Sequence, residues 1–160
     1  MRKALFAAGL ACLAAACGGR QAAAPQPSAF MATRDDSCYT VDLFSPAPVI
    51  APGAEVPDNW RAFSGRWGGG AWDGEWCHDL HILSIDPSGE VVLIETHAPH
   101  DAWGKPATAF RRKARIDRDG RLRMAYGRTE IAYWYENGLL FGVREEGGGE
   151  RRIALARRGA

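Results

Sequence analysis

The chain has 160 residues, 46% of them hydrophobic and 24% charged, with a formal net charge of +1. That length suits one folded domain. The near-zero charge leaves no electrostatic footprint for nucleic acid, so no nucleic-acid partner is expected.

The chain opens with Met1, Arg2 and Lys3, continues through small and apolar residues from Ala4 to Ala16, and then reads Cys17, Gly18, Gly19. The apolar run falls short of the about 20 residues a spanning helix requires. A basic start, a short apolar run and small residues before a cut describe an export signal. Residues Ala14, Ala15, Ala16 and Cys17 resemble the lipobox of bacterial lipoproteins. That resemblance implies a signal peptide over 1–16, cleaved before a Cys17 that carries acyl chains of the palmitate type. It makes the membrane a partner through the N-terminal lipid. Gly18 in place of Asp then implies an outer-membrane lipoprotein facing the periplasm. Two alternatives stay open: modification of Cys12, or ordinary cleavage after Ala16 to give a soluble periplasmic protein.

Discarding Cys12 with the signal and acylating Cys17 leaves Cys38 and Cys77 in an oxidising compartment, where one disulfide is the simplest outcome. The loop-entropy model gives such a bridge roughly 4 kcal/mol. The alternative is two unpaired, buried cysteines. No C-x-x-C pair supports zinc.

Residues 17–37, rich in Ala, Gln, Pro and Ser, read as a flexible tether. Residues 38–59 read as a proline-rich arm. Tyr39, Val41 and Leu43 alternate with polar residues over a short strand at 38–44, and Pro46, Pro48, Pro52 and Pro57 exclude a central strand after it.

From 60 to 158 short apolar runs alternate with turn signals. The runs cover 63–72, 76–85, 91–98, 108–116, 122–126, 129–135, 139–144 and 153–157. Asp73-Gly74 and Asn137-Gly138 are strong hairpin signals. Eight strands joined in sequence by turns form a meander, and closing it removes the exposed edges. The expected fold is therefore all-β, an eight-stranded antiparallel up-and-down barrel, with a flattened sandwich as the alternative. At its start, Gly65-x-Trp67 follows a potential helical turn over 59–63. This resembles the calycin superfamily, which includes the lipocalins. The resemblance implies that Trp67 plugs one barrel end under an arginine of the last strand, Arg157 or Arg158. The start Phe63-x-Gly65-x-Trp67-x-Gly69 also resembles small barrel domains of proteobacterial envelope proteins, which implies no activity.

All four histidines fall between 78 and 100. If Asp86 pairs with Glu90, Asp79 faces His97 and His81 faces Glu95, a conceivable set of divalent-metal ligands. A one-residue slip instead sets His78 against His97. The ordinary reading is cross-strand polar pairing at the barrel mouth, with no metal and no cofactor. Arg111, Arg112, Lys113, Arg115, Arg118, Arg121, Arg123 and Arg128 form a basic cluster in which Arg111, Lys113 and Arg115 alternate with Arg112, Ala114 and Ile116, so that one strand face reads as a solvated cationic surface, or one for anionic envelope components. Trp103, in the longest loop, and Tyr133 and Tyr135 are candidate ligand contacts. No catalytic residue is expected, since no G-x-S-x-G or G-x-x-x-x-G-K occurs. The expected function is non-catalytic: binding a small hydrophobic ligand or docking an envelope partner. Alternatives are a hydrolase-type enzyme or enzyme subunit acting on envelope substrates, and an inhibitor of a cell-wall hydrolase.

Overall fold

The computed structural model describes Cys38, Thr40 and residues 47–159. The expected signal, Cys17, the tether and most of the 38–44 strand lie outside the described residues. The rest forms one closed barrel with strand order β1 to β8. The strands are β1 Gly65–Trp72, β2 Trp76–Ile85, β3 Glu90–His97, β4 Thr108–Ile116, β5 Leu122–Tyr126, β6 Thr129–Glu136, β7 Leu139–Glu146 and β8 Gly149–Arg157. Every neighbouring pair is antiparallel, and β1 meets β8 at Trp67↔Arg157 and Gly68↔Ala156. The fold is the expected up-and-down barrel rather than a sandwich.

The turns obey their sequence chemistry. Asn137 and Gly138 adopt φ of 50° and 83°, the left-handed pair that a two-residue hairpin needs to match strand twist. The last hairpin differs from expectation. β7 runs on to Glu146 and β8 starts at Gly149, because Gly147 and Gly148 alone make the turn. Its arms are charged and exposed, so no apolar alternation marks them.

One end of the barrel is plugged. Helix α1, Asp58–Arg61, precedes β1, and the Trp60 ring lies against Gly89 in the β2–β3 turn. Trp67 is wholly buried, and its Nε1 donates to the Phe63 carbonyl at 2.7 Å. The Arg157 guanidinium carbon sits 4.3 Å from the Trp67 ring centre. Arg157 also donates to the Ser64 and Ala62 carbonyls at 2.6 and 2.8 Å, which fixes it over the ring. Gly65 makes room: a Cβ there would fall 2.6 Å from Arg157 Nη1, and its φ of +120° suits no L side chain. Above this plug Leu80, Ile82, Leu93, Ile116, Leu122, Leu140, Ile153 and Leu155 fill the interior.

The described arm residues Cys38, Thr40 and Ile50 meet the outer face of β2. Cys38 and Cys77 form the expected disulfide, 39 residues apart. Ile50 donates its N–H to the Leu83 carbonyl at 2.7 Å, and the Thr40 hydroxyl donates to Asp79 Oδ2 at 3.0 Å. Leu83, Ile94 and Thr96 on the outer side of β2 and β3 are also buried. Cys38→Ala/Cys77→Ala is expected to lose about 2–4 kcal/mol of stability, since the loop regains its freedom in the unfolded chain. Urea titration of oxidised protein and the double variant measures this, and equal midpoints would reject it.

Candidate functional site

The second half of the barrel interior, toward the open end, is polar. The period of two along each strand aims Trp76 and His78 of β2, Glu95 and His97 of β3, Arg112 of β4, Tyr126 of β5, Tyr133 of β6 and Arg144 of β7 at one another. His78 and Glu95 are 0% exposed, His97 2% and Arg144 5%. Burial on this scale is costly for polar groups unless each finds a partner.

Most do. His78 Nδ1 lies 3.0 Å from the Thr96 carbonyl, which can only accept, so Nδ1 carries the proton. Nε2 is then the acceptor for the Tyr133 hydroxyl at 2.9 Å. Gly142 allows this: a Cβ there would come 2.6 Å from Tyr133 Cδ1. Burial first, then the nearby Arg144 and His81, pushes the His78 imidazole down to about 3 despite its backbone bond. Burial and the facing Glu95 hold the Tyr133 hydroxyl well above its usual range. Tyr126 is pushed up to about 12 by burial and by Glu95. Arg144 donates through Nη1 to the Tyr126 hydroxyl at 3.1 Å and through Nη2 to Glu146 Oε2 at 3.0 Å. Arg112 donates through Nε to Glu95 Oε1 at 2.8 Å, and its guanidinium lies 3.6 Å from the centre of the Tyr126 ring.

Two groups find no partner. Glu95 Oε2 and both ring nitrogens of His97 are buried without a hydrogen bond among the described residues. The His97 ring is stacked on Trp76, 4.2 Å between centres and 22° between planes, and lies 4.6 Å from His78. Burial, with His78, Arg144, Arg112 and Lys105 around it, holds His97 neutral far below the usual imidazole range. Both groups border a cleft of about 240 Å³ whose wall also includes Phe110, Tyr126, Arg144 and Lys105.

The cleft exists because β4 and β5 pair only at Arg115↔Arg123 and Ile116↔Leu122, next to their turn. Beyond that point no ladder joins them, and Arg112 stacked on Tyr126 spans the seam. The loop between β3 and β4 covers the end. His100 and Lys105 exchange backbone hydrogen bonds at 2.9 and 3.1 Å, a 3₁₀ turn spans Asp101–Trp103, and Gly104 takes a φ of 59°. Trp103 meets Trp76 edge-on at 6.0 Å, stacks on His100 at 3.9 Å, and carries the Arg151 guanidinium 4.0 Å from its ring.

No family model matches the chain, and no curated protein or solved structure matches it either. The site must therefore be read from its own chemistry.

The histidine register decides between the two pairings the sequence leaves open, in favour of the one-residue slip. Asp86 and Glu90 do bond across the turn, N–H to carbonyl at 3.0 Å, but the strands shift between Ile82 and Ser84. His78 therefore faces His97, Leu80 faces Glu95 and Asp79 faces Thr96. Asp79 and His81 look outward, Asp79 against Thr40, while Glu95 and His97 look inward. The four residues do not form one ligand set, and no cluster of three or more His, Cys, Asp or Glu suited to a metal occurs among the described residues. The ligand-contact candidates also separate. Trp103 is at the open end and Tyr133 is buried beside His78. Tyr135 sits at the plugged end, 5.9 Å from Trp67. Arg144 carries no expectation from the sequence, and Arg112 belongs to the basic cluster but alternates with its cationic face. The phase of each strand shows both as inward: Arg112 with Ala114 and Ile116, Arg144 with Leu140 and Gly142.

Proposed function

We propose that this protein is an envelope lipoprotein whose barrel is a non-catalytic receptor for one small ligand, held in the cleft between β3, β4 and β5. The single observation that carries the reading is the set of buried atoms without a hydrogen bond on the cleft wall, Glu95 Oε2 and the two ring nitrogens of His97. Leaving such groups unsatisfied costs about 1–3 kcal/mol each, so the site favours an occupant that bonds them. A cleft with a few polar groups among aromatic rings is the usual form of a small-molecule site. The ligand this wall suits has a flat apolar face for Trp76, Phe110 and Tyr126 and a hydrogen-bonding edge. The Gly65, Trp67 and Arg157 plug supports the calycin-like reading, in which a barrel closed at one end opens to ligand at the other. The lipobox-like run before Cys17 supports the outer-membrane anchor.

A fragment library screened by ¹H–¹⁵N correlation spectra on the mature protein tests the receptor. Hits are expected to move Trp76, His97, Phe110 and Arg112 together, and a library without such a hit would remove the reading. For the anchor, the intact chain labelled with an alkyne palmitate analogue is expected to incorporate it and fractionate with membranes, and Cys17→Ala to do neither. Labelling that survives Cys17→Ala would sink the lipid assignment.

A further inference from the structure

We infer that the cleft takes a small organic acid that also carries a hydrogen-bond donor, a hydroxy- or amino-acid type of molecule, with its carboxylate on Arg112 and its donor on Glu95. This rests on the reading of the cleft as a ligand site.

Arg112 is the acid's partner. Its Nε is committed to Glu95, but neither Nη makes a hydrogen bond among the described residues. Its guanidinium is held against the rings of Phe110, at 4.6 Å, and Tyr126, at 3.6 Å. A guanidinium fixed in plane with two free nitrogens is preorganised for the two oxygens of a carboxylate. The charge balance agrees. Arg112, Arg144 and Lys105 line the cleft against one carboxylate, Glu95. Glu146 answers Arg144 from outside, so one positive charge is left over for the ligand.

Glu95 supplies the second half. Its side chain is 1% exposed, and a carboxylate paired with a guanidinium accepts hydrogen bonds. Oε1 has Arg112, and no donor among the described residues stands in hydrogen-bonding geometry to Oε2, so Oε2 takes an O–H or N–H from the occupant beside the poorly aligned Tyr126 hydroxyl. Neutral His97 offers one further donor and one further acceptor beside it. The same Oε2 opposes a doubly charged group placed against Arg112, which disfavours phosphate. The volume holds a molecule of roughly one ring, smaller than the common run of drug-sized pockets.

The probe is 4-hydroxybenzoate, titrated into the mature protein near neutral pH by calorimetry and by ¹H–¹⁵N spectra. Benzoate lacks the donor, 4-hydroxybenzyl alcohol lacks the acid, and phenyl phosphate carries the dianion. The hydroxy acid is expected to bind about tenfold more tightly than each of the other three, the scale of one hydrogen bond to a charged group. Glu95→Gln is expected to shrink its advantage over benzoate. Arg112→Lys, which keeps the charge and the fold but not the fork, is expected to shrink its advantage over the alcohol. Equal binding of acid and alcohol with the same residues shifting would overturn the inference and leave the receptor reading standing. Tighter binding of phenyl phosphate would do likewise. No shift at Trp76 or His97 with any of the four at about 10 mM, beyond the weakest useful affinity, would overturn the inference, while the receptor reading would still be decided by the wider fragment library.

Discussion

Moving the protein from about pH 7.5 to about pH 4.5 is expected to remove about 3–5 kcal/mol of unfolding free energy, most of it through two imidazoles. His78 is held down to about 3 in the fold and titrates at 6.5 when free, and His97 is depressed further. A group depressed in the folded state binds its proton first in the unfolded chain. Its contribution is therefore complete above pH 6.5 and is lost as the pH falls toward the folded value. Each such imidazole costs about 1.4 kcal/mol per pH unit in that window. Neighbouring cations add to the cost of a charged ring: Arg144 lowers His78, and Arg144, Arg112 and Lys105 lower His97. Ordinary carboxylates titrate near 4, so a fall between about pH 6.5 and 5 belongs to the histidines. Urea unfolding at several pH values measures it. His97→Phe keeps the stack on Trp76 and should halve the slope. A stability that stays level down to about pH 5 would show that neither ring is held neutral.

Trp67→Ala is expected to cost about 3–5 kcal/mol, the range for truncating a large buried aromatic residue. The ring is wholly enclosed, and its loss opens a void between Phe63, Tyr135 and the apolar layer above. Collapse into that void is resisted from both sides. The Arg157 guanidinium is fixed by the Ser64 and Ala62 carbonyls, and α1 is seated on the β2–β3 turn through Trp60. Arg157→Met should cost less, about 1–2 kcal/mol, because it removes the cation over the ring and two hydrogen bonds but leaves the ring in place. Calorimetric unfolding separates the two. A Trp67→Ala loss no larger than that of Arg157→Met would mean that Trp67 does not hold this end shut.

The barrel was legible because its signals are local. The left-handed turn pairs, the apolar alternation of β1 to β7 and Gly65-x-Trp67 each need only neighbouring residues. The site was less legible because its register depends on one extra residue. Leu83 is accommodated by the bulge between Ile82 and Ser84, and nothing in the run from Leu80 to Ile85 marks it. Leu83 is apolar for a second reason, the arm above it, so the alternation that would fix the phase is erased there. Counting back from the turn then puts each histidine opposite the wrong partner. Arg144 had a usable signal in the spacing Leu140, Gly142, Arg144. A charged residue near a strand end reads as surface unless the other strands supply a reason to bury it. Here that reason is Tyr126 from β5 and Glu146 two places along, a contact between elements that no single stretch of sequence displays.

The short ladder between β4 and β5 sets where the cylinder gives way first. Amides of Phe110 to Arg112 that point across that seam have no carbonyl opposite to shield them, so their protons exchange with solvent at a cost far below that of global unfolding. Parting the two strands there costs one guanidinium–ring contact rather than a row of backbone bonds. The cations of Arg111 and Lys113 beside the gap discourage a stranger's strand from zipping into it. The wall is thus weakest along this joint.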